Sequence, residues 1–467
     1  MPDNVPVWGY FIIFLFVHLL WLIAFCPGIM TDDAAGQLLM CIWGNYNDHH
    51  PIASSFLMYG ILKLGRVLFH SDNAGIFIYL CLQASFQTVT FTYCFELFRR
   101  KGTCLFIRVL TFFFYCIFPV FANMSVVYCK DIGYGISCLL CLVMTELCFG
   151  CEEHVKGKRQ TATEYFLLLL SLSGMCLFRH EGKFIALTAL LFMLIGFGNH
   201  RKIISRIILM IIILLIMNKA VISAFHVEKG PVRETLSVPI MMTAGYVGRY
   251  GNEISAEDER ILYSVFDVDD LEDLYDALDY EISDELKAHM IYAPGKAALG
   301  DYFSFMLRSF FDHPGVFFET YFKHADGYFN PLREKFETGD SFTYIMTNEK
   351  YAGEYLCVSY SGNRYLRDLL RGYYFFWDDN PVLGILLNPG LYTLIMLIEM
   401  VLLIAFRKAK KLFYYIPAIV LLGVITLSPV NGSLRYALPL MLTMPLYLEL
   451  TVSQLASIFT RRKSSAS

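Results

Sequence analysis

Hydrophobic residues in this chain come in long unbroken stretches and not in alternation. "WGYFIIFLFVHLLWLIAF" (8–25) opens it, and "IISRIILMIIILLIM" (203–217) is one of many later runs. Runs of roughly 17–25 residues match the hydrocarbon thickness of a bilayer, whereas a transmembrane barrel would alternate apolar and polar positions. The pattern predicts an all-α polytopic membrane protein. Counting every run as a span gives eleven, and "PIASSFLMYGILKLGRVLF" (51–69) is the awkward one, with Lys63, Arg66, Ser54 and Ser55 inside it. If it crosses, "RRKG" (99–102) falls on the opposite side from every later basic loop, against the positive-inside rule. Laid along the interface as an amphipathic helix, 51–69 leaves about ten spans. These are 8–26, 75–98, 104–122, 132–149, 163–178, 183–198, 204–222, 382–406, 412–428 and 436–459.

With that assignment the basic clusters at 99–101, 156–159, 200–202, 407–411 and 461–463 share the cytoplasmic side with both termini. The predicted organisation is an N-terminal membrane module (1–222) whose first outer loop (27–74) carries the interfacial helix. A mainly helical extracytoplasmic domain (223–381), a C-terminal membrane module of three spans (382–460) and a cytoplasmic tail (461–467) follow. In the outer domain, "SAEDE" has the form of a capped helix start, and the surrounding acids read as solvated faces of short helices. The first run lacks a basic n-region and a small-residue cleavage site, so it reads as a retained span.

Composition agrees: 56% of the 467 residues are hydrophobic and 17% charged, against about a quarter charged in soluble domains, and mean hydropathy is +0.49. The net charge of −4 gives no sign of a nucleic-acid partner. The thirteen cysteines lie mostly inside apolar runs without metal spacing and read as small buried hydrophobes.

Against this background the polar residues of four outer loops stand out. "TDDAAGQLLMCIWGNYNDHHP" (31–51) holds Asp32, Asp33, Asp48, His49 and His50 without one lysine or arginine. Such groups can act as a base or hold a divalent cation, although Asp32 can equally be an N-cap for a helix beginning near Ala34. Lys130 and Asp131 open a span, where a charge is costly without a partner. "FRHEGK" (178–183) places Arg179 and His180 in a bend, and Asn431, Arg435 and Tyr436 sit at the mouth of the last span. Acids opposite cations suit transfer from a lipid-linked donor: cations stabilise a phosphate leaving group while a carboxylate orients or deprotonates an acceptor. No nucleotide-binding loop occurs.

The order of these features resembles the GT-C superfamily of membrane glycosyltransferases. The resemblance rests on a first span followed by a long loop with "PGIMTDDAAGQ", on "HHPIASSFLMYGILKLG", and on a large outer domain before the last spans. The chain resembles more closely a set of uncharacterised Gram-positive multi-pass GT-C-like proteins. Shared are an aspartate four residues before a glutamine (Asp33, Gln37), "YNDHHP", a "KD" opening a span, an "RH" bend, "LSVP" (236–239) and "RY-x-x-P" (435–439). The resemblance implies a sugar moved from a polyprenyl-phosphate donor to a glycan, lipid or protein acceptor of the cell envelope, on the outer face of the membrane. It implies Asp33, with Asp32 beside it, as the catalytic carboxylate, and Asp48, His49 and His50 as acceptor-positioning or metal-binding groups. Lys130, Arg179, His180 and Arg435 would bind the donor phosphate, with Gln37, Asp131, Asn431 and Tyr436 in support. The first loop lacks a clean DE or D-x-D pair, which leaves a divalent metal, Mg or Mn, open. A lipid-linked oligosaccharide polymerase or ligase is an alternative, and a transporter or flippase of envelope precursors another, although the spans are nearly free of mid-membrane charge and no repeated halves are seen.

Overall fold

The computed structural model describes residues 6–151, 158–333 and 355–464. The expected basic cluster at 156–159 and the polar end of the tail lie partly outside them. The described chain is helical, and its one strand pairing is two residues long on each side. Helix α1 (Val7–Phe25) leads through β1 (Ile29–Met30) into α2 (Asp32–Trp43), α3 (Ile52–Phe69) and the long α4 (Asp72–Lys101). Next come α5 (Leu105–Cys116), α6 (Pro119–Met124), β2 (Val127–Tyr128), α7 (Lys130–Thr145), α8 (Lys158–Phe178), α9 (Gly182–Gly196) and α10 (Arg201–Ala224).

Among the described residues, six helices are long and apolar enough to cross a membrane: Val7–Phe25, Ile52–Phe69, Asp72–Lys101, Lys130–Gly150, Thr161–Phe178 and Gly198–Ala224. Leu105–Cys116, Gly182–Gly196 and Pro389–Ala405 are shorter apolar helices. Three of the expected spans are not continuous. In 382–406 a 3-10 segment, Leu383–Leu387, gives way at Asn388 to the helix Pro389–Ala405. Residues 104–122 break between α5 and α6, because Pro119 opens the second helix and cannot continue the first. Residues 412–428 split into a 3-10 segment ending at Tyr415 and a short α-helix. The 52–69 segment, expected to lie along the interface, is a helix with the length and composition of a span. It closes tightly on α4: a Cβ on Gly65 would stand 2.2 Å from the Gly75 backbone nitrogen, so only glycine permits the approach.

A second core lies in α11 (Ser237–Tyr250), α12 (Ala256–Tyr263), α13 (Glu272–Asp276), α14 (Asp284–Ala288), α15 (Lys296–Asp312) and α16 (Pro314–Ala325). Ile240, Ala244, Leu262, Phe266 and Tyr302 are its centre, separate from the large core of the long helices. Ser255 caps α12 by accepting from the Asp258 N–H, the start that "SAEDE" announces. The chain then returns to the first body: α17 (Arg364–Asp379) packs on α1, and the Asn363 N–H donates to the Ile23 carbonyl at 3.1 Å. Helices α18 (Pro389–Ala405), α19 (Ile416–Ile425) and α20 (Leu434–Ser464) end it. The loop between α19 and α20 sews the two cores together. Asn431 N–H donates to Glu281 at 2.9 Å, Ser283 N–H donates to Pro429 at 3.0 Å, and Ile282 bridges Val430.

Candidate functional site

The strand pairing builds the site. β1 and β2 run parallel with Ile29 opposite Val127 and Met30 opposite Tyr128. Each strand passes straight into a helix, α2 after Thr31 and α7 after Cys129. Two helix N-termini therefore start side by side, and each carries an aspartate at its second position, Asp33 in α2 and Asp131 in α7. Carboxylates are favoured there by the helix dipole. Thr31 is the N-cap of α2, its hydroxyl accepting from the Ala34 N–H at 3.3 Å. Asp32 is thus the first helical residue and not the cap, and it is exposed.

Arg435 reaches these acids from α20. Its Nη1 donates to Asp33 Oδ2 at 2.8 Å, and its Nε stands 3.4 Å from Asp131 Oδ2. Arg179 comes from the three-residue bend between α8 and α9, where Nη1 donates to Asp131 Oδ1 at 3.1 Å and Nε pairs with Glu181. The bend is tight enough that a Cβ on Gly182 would lie 1.9 Å from the Met175 carbonyl oxygen. Lys130 Nζ is 3.9 Å from Asp33 Oδ2. The Tyr436 ring packs under both guanidiniums, with the Arg179 carbon 4.5 Å and the Arg435 carbon 5.1 Å from its centroid.

Three cations therefore meet three carboxylates, and the cluster is formally neutral. The acids differ in access: the Asp131 side chain is 2% exposed and that of Asp33 35%. Burial acts to raise the Asp33 carboxyl, but Arg435, Lys130 and His50 together hold it well below the usual carboxylate range. Asp33 is an ionised and weakly basic group as long as Arg435 holds it. Burial, and after it the Lys130 charge, lower the His50 imidazole to about 3. Burial also lowers His180, against the pull of Asp48.

The cluster forms the floor of a cavity of about 850 Å³. Asp48, His49 and His50 edge it, held because His180 Nε2 bonds the Asp48 carbonyl at 3.0 Å. The Asp48 N–H donates in turn to Glu228 at 2.7 Å, tying this loop to the chain entering the second core. Val424, Ile425 and Leu427 make an apolar wall. Of the residues singled out from sequence, Asp33, Asp48, His49, His50, Lys130, Asp131, Arg179, His180, Arg435 and Tyr436 line this one cavity. Asp32, Gln37 and Asn431 do not. Gln37 is buried beneath the site, where its Nε2 donates to Ser55 Oγ at 2.8 Å and holds the start of α3. Asn431 is buried and donates to the Tyr280 and Lys323 carbonyls, a structural tie between the two cores.

Sequence reasoning missed the opposite wall: Arg233, Glu234, Asp284 and Lys287. Lys287 is buried, with Nζ 2.6 Å from Asp284 and 2.8 Å from Glu234. The i,i+3 spacing of Asp284 and Lys287 was visible, but in an acidic stretch it reads as a solvated helix face. Among the described residues no group of three His, Cys, Asp or Glu side chains is placed to hold a metal ion. The donor set also fits a cation poorly, because Asp33 and Asp131 are both held by positive side chains.

No curated protein and no solved structure matches the chain. A family described as a family of unknown function (DUF6020) matches residues 44–464, which take in every cavity residue except Asp33. With that match over most of its length, the chain belongs to the DUF6020 family.

Proposed function

We propose that this cavity is the active site of a GT-C-type membrane glycosyltransferase. It moves a sugar from a polyprenyl-phosphate donor to a glycan, lipid or protein acceptor of the cell envelope, on the extracytoplasmic face. The observation that carries the reading is the convergence of Lys130, Arg179 and Arg435 on Asp33 and Asp131 at one end of the long helices. In the proposed reaction an acceptor hydroxyl attacks the anomeric carbon, and the bond from that carbon to the phosphate oxygen breaks. The leaving polyprenyl phosphate keeps the bonding electrons and is stabilised by the three cations. Asp33 accepts the acceptor's proton. A bound phosphate competes with Asp33 for Arg435, and release from that guanidinium raises the basicity of the carboxylate where a base is needed.

The orientation belongs to the same proposal: ten spans, α3 along the interface, both termini cytoplasmic. In its support, α7 runs from Lys130 at the cavity to its far end, where Lys101 pairs with Glu146 at 2.7 Å. Phe149 meets His200 there, so two of the basic clusters gather opposite the cavity. The test is turnover of a panel of polyprenyl-phosphate sugars by the purified protein, followed by mass spectrometry of extracted lipids and glycans. The parent is expected to consume donor, and Asp33→Asn and Arg435→Ala to lose turnover while staying folded. A folded parent that consumes none of the panel, or an Asp33→Asn variant that matches it, overturns the reading.

A further inference from the structure

Helices α15 and α16 each bury one apolar face in the second core and leave another uncovered. In α15 the buried side carries Tyr302, Phe305 and Ser309, while Phe303, Leu307 and Phe311 recur every fourth residue on a different side. In α16 Val316, Phe317 and Thr320 are buried, and Phe318 and Phe322 repeat the outward spacing. These five outward side chains are between 46% (Phe303) and 72% (Phe311) exposed. They form one surface, because Phe310 joins Phe311 and Phe318 at ring-centroid distances of 5.6 and 5.7 Å. Soluble surfaces rarely carry so continuous an aromatic stripe, and one of this kind marks a face that meets a partner or a membrane.

The stripe is not isolated from the long-helix body. Tyr321, beside Phe322, donates its hydroxyl to Thr426 Oγ1 at 2.8 Å, at the C-terminal end of the apolar helix α19. Leu427, at the rim of the cavity wall, follows immediately and is 58% exposed, and Ile419 on α19 is exposed as well. The apolar outer side of the helix body thus continues onto α16 and α15. Charged residues edge the stripe, with Glu319 paired to Lys323 and to Arg249 and with Arg308 paired to Asp258. An aromatic face rimmed by charge suits the headgroup zone of a bilayer, where ring and polar tip meet different solvents.

We infer that the α15–α16 hairpin lies on the membrane, its aromatic stripe dipping into the headgroup boundary beside the end of α19. The occupant of the uncovered face is phospholipid. The 424–430 segment that α16 grips also lines the charged cavity, so contact with lipid holds the cavity mouth at the membrane surface. This placement does not depend on the proposed chemistry.

The full chain in nanodiscs containing a diazirine-bearing phospholipid tests it. After illumination and digestion, lipid adducts are expected on peptides covering 303–322 as well as on α10, whose Ile212, Ile213 and Ile216 are exposed. A double variant, Phe311→Asp with Phe318→Asp, is expected to lose the 303–322 adducts while α10 labelling persists and reports an intact fold. Unlabelled 303–322 in the parent, with α10 labelled, overturns the inference whether or not the variant folds. Crosslinks from that peptide to a second protein chain in place of lipid overturn it as well.

Discussion

Asp131→Asn and Asp33→Asn separate the roles of the two carboxylates that Arg435 holds. Asp131 is 2% exposed and is bonded by Arg179 at 3.1 Å and approached by Arg435 at 3.4 Å. Removing its charge leaves Arg179 with Glu181 and Arg435 with Asp33, three cations against two carboxylates with little water to screen them. Losing a buried partner in this way costs about 3–5 kcal/mol. Asp33 also touches Arg435, at 2.8 Å, but is 35% exposed to the cavity. Its loss leaves Arg435 with Asp131 and the Tyr436 hydroxyl, so the cost is that of a screened pair, about 1 kcal/mol or less. Asparagine matches aspartate in shape, so neither change opens a void. The comparison is an unfolding titration of both purified variants in mixed micelles, with donor turnover measured on the same samples. Asp131→Asn is expected to be the less stable by about 2–4 kcal/mol, and Asp33→Asn to stay folded and lose turnover. An Asp33→Asn variant as destabilised as Asp131→Asn would make Asp33 part of a structural lock and remove it from the chemistry.

Acid sensitivity follows from His50, whose pKa is lowered to about 3 from the ordinary value of about 6.5. The unfolded chain takes up that proton first, so this contribution is complete above the ordinary value and is lost as pH falls toward the folded one. Melting temperature should therefore drop between about pH 7 and about pH 5 less steeply in His50→Gln than in the parent; parallel curves would refute the assignment. Gly65→Ala drives a Cβ into the Gly75 backbone and should cost about 1–3 kcal/mol. Gly60→Ala, on the same helix with nothing within 4 Å, should be neutral or stabilising in the same melt. Asp32→Asn should leave turnover unchanged, since Asp32 is exposed and outside the cavity, and should cost about 1 kcal/mol or less for the charge lost at the start of α2. Gln37→Leu removes the bond to Ser55 and should cost about 1 kcal/mol in unfolding, with a smaller effect indicating that Ser54 and Ser55 hold α3 through Pro51 alone.

The amino-acid pattern alone reveals the helical, apolar character of the protein and most of the charged side chains that line the cavity. Unbroken apolar runs can be satisfied only as helices in an apolar medium, because each helix closes its own backbone hydrogen bonds. Charges placed at the ends of such runs are costly, and that cost is why Lys130, Asp131, Arg179 and Arg435 were conspicuous before any fold was known. Pro119 carries the signal of a break, but the apolar run around it reads as one span over 104–122. Which of these charges meet is set by long-range packing. Ile29 and Val127 are almost a hundred residues apart, and their short parallel pairing, which no local pattern announces, sets Asp33 beside Asp131. Arg435 reaches Asp33 across 402 positions of chain, and Lys287 is buried by a helix whose sequence reads as solvated. Local periodicity records what each residue must hide. Which partner it hides against is settled by packing over the whole chain, and the charged floor of this cavity is a product of that packing.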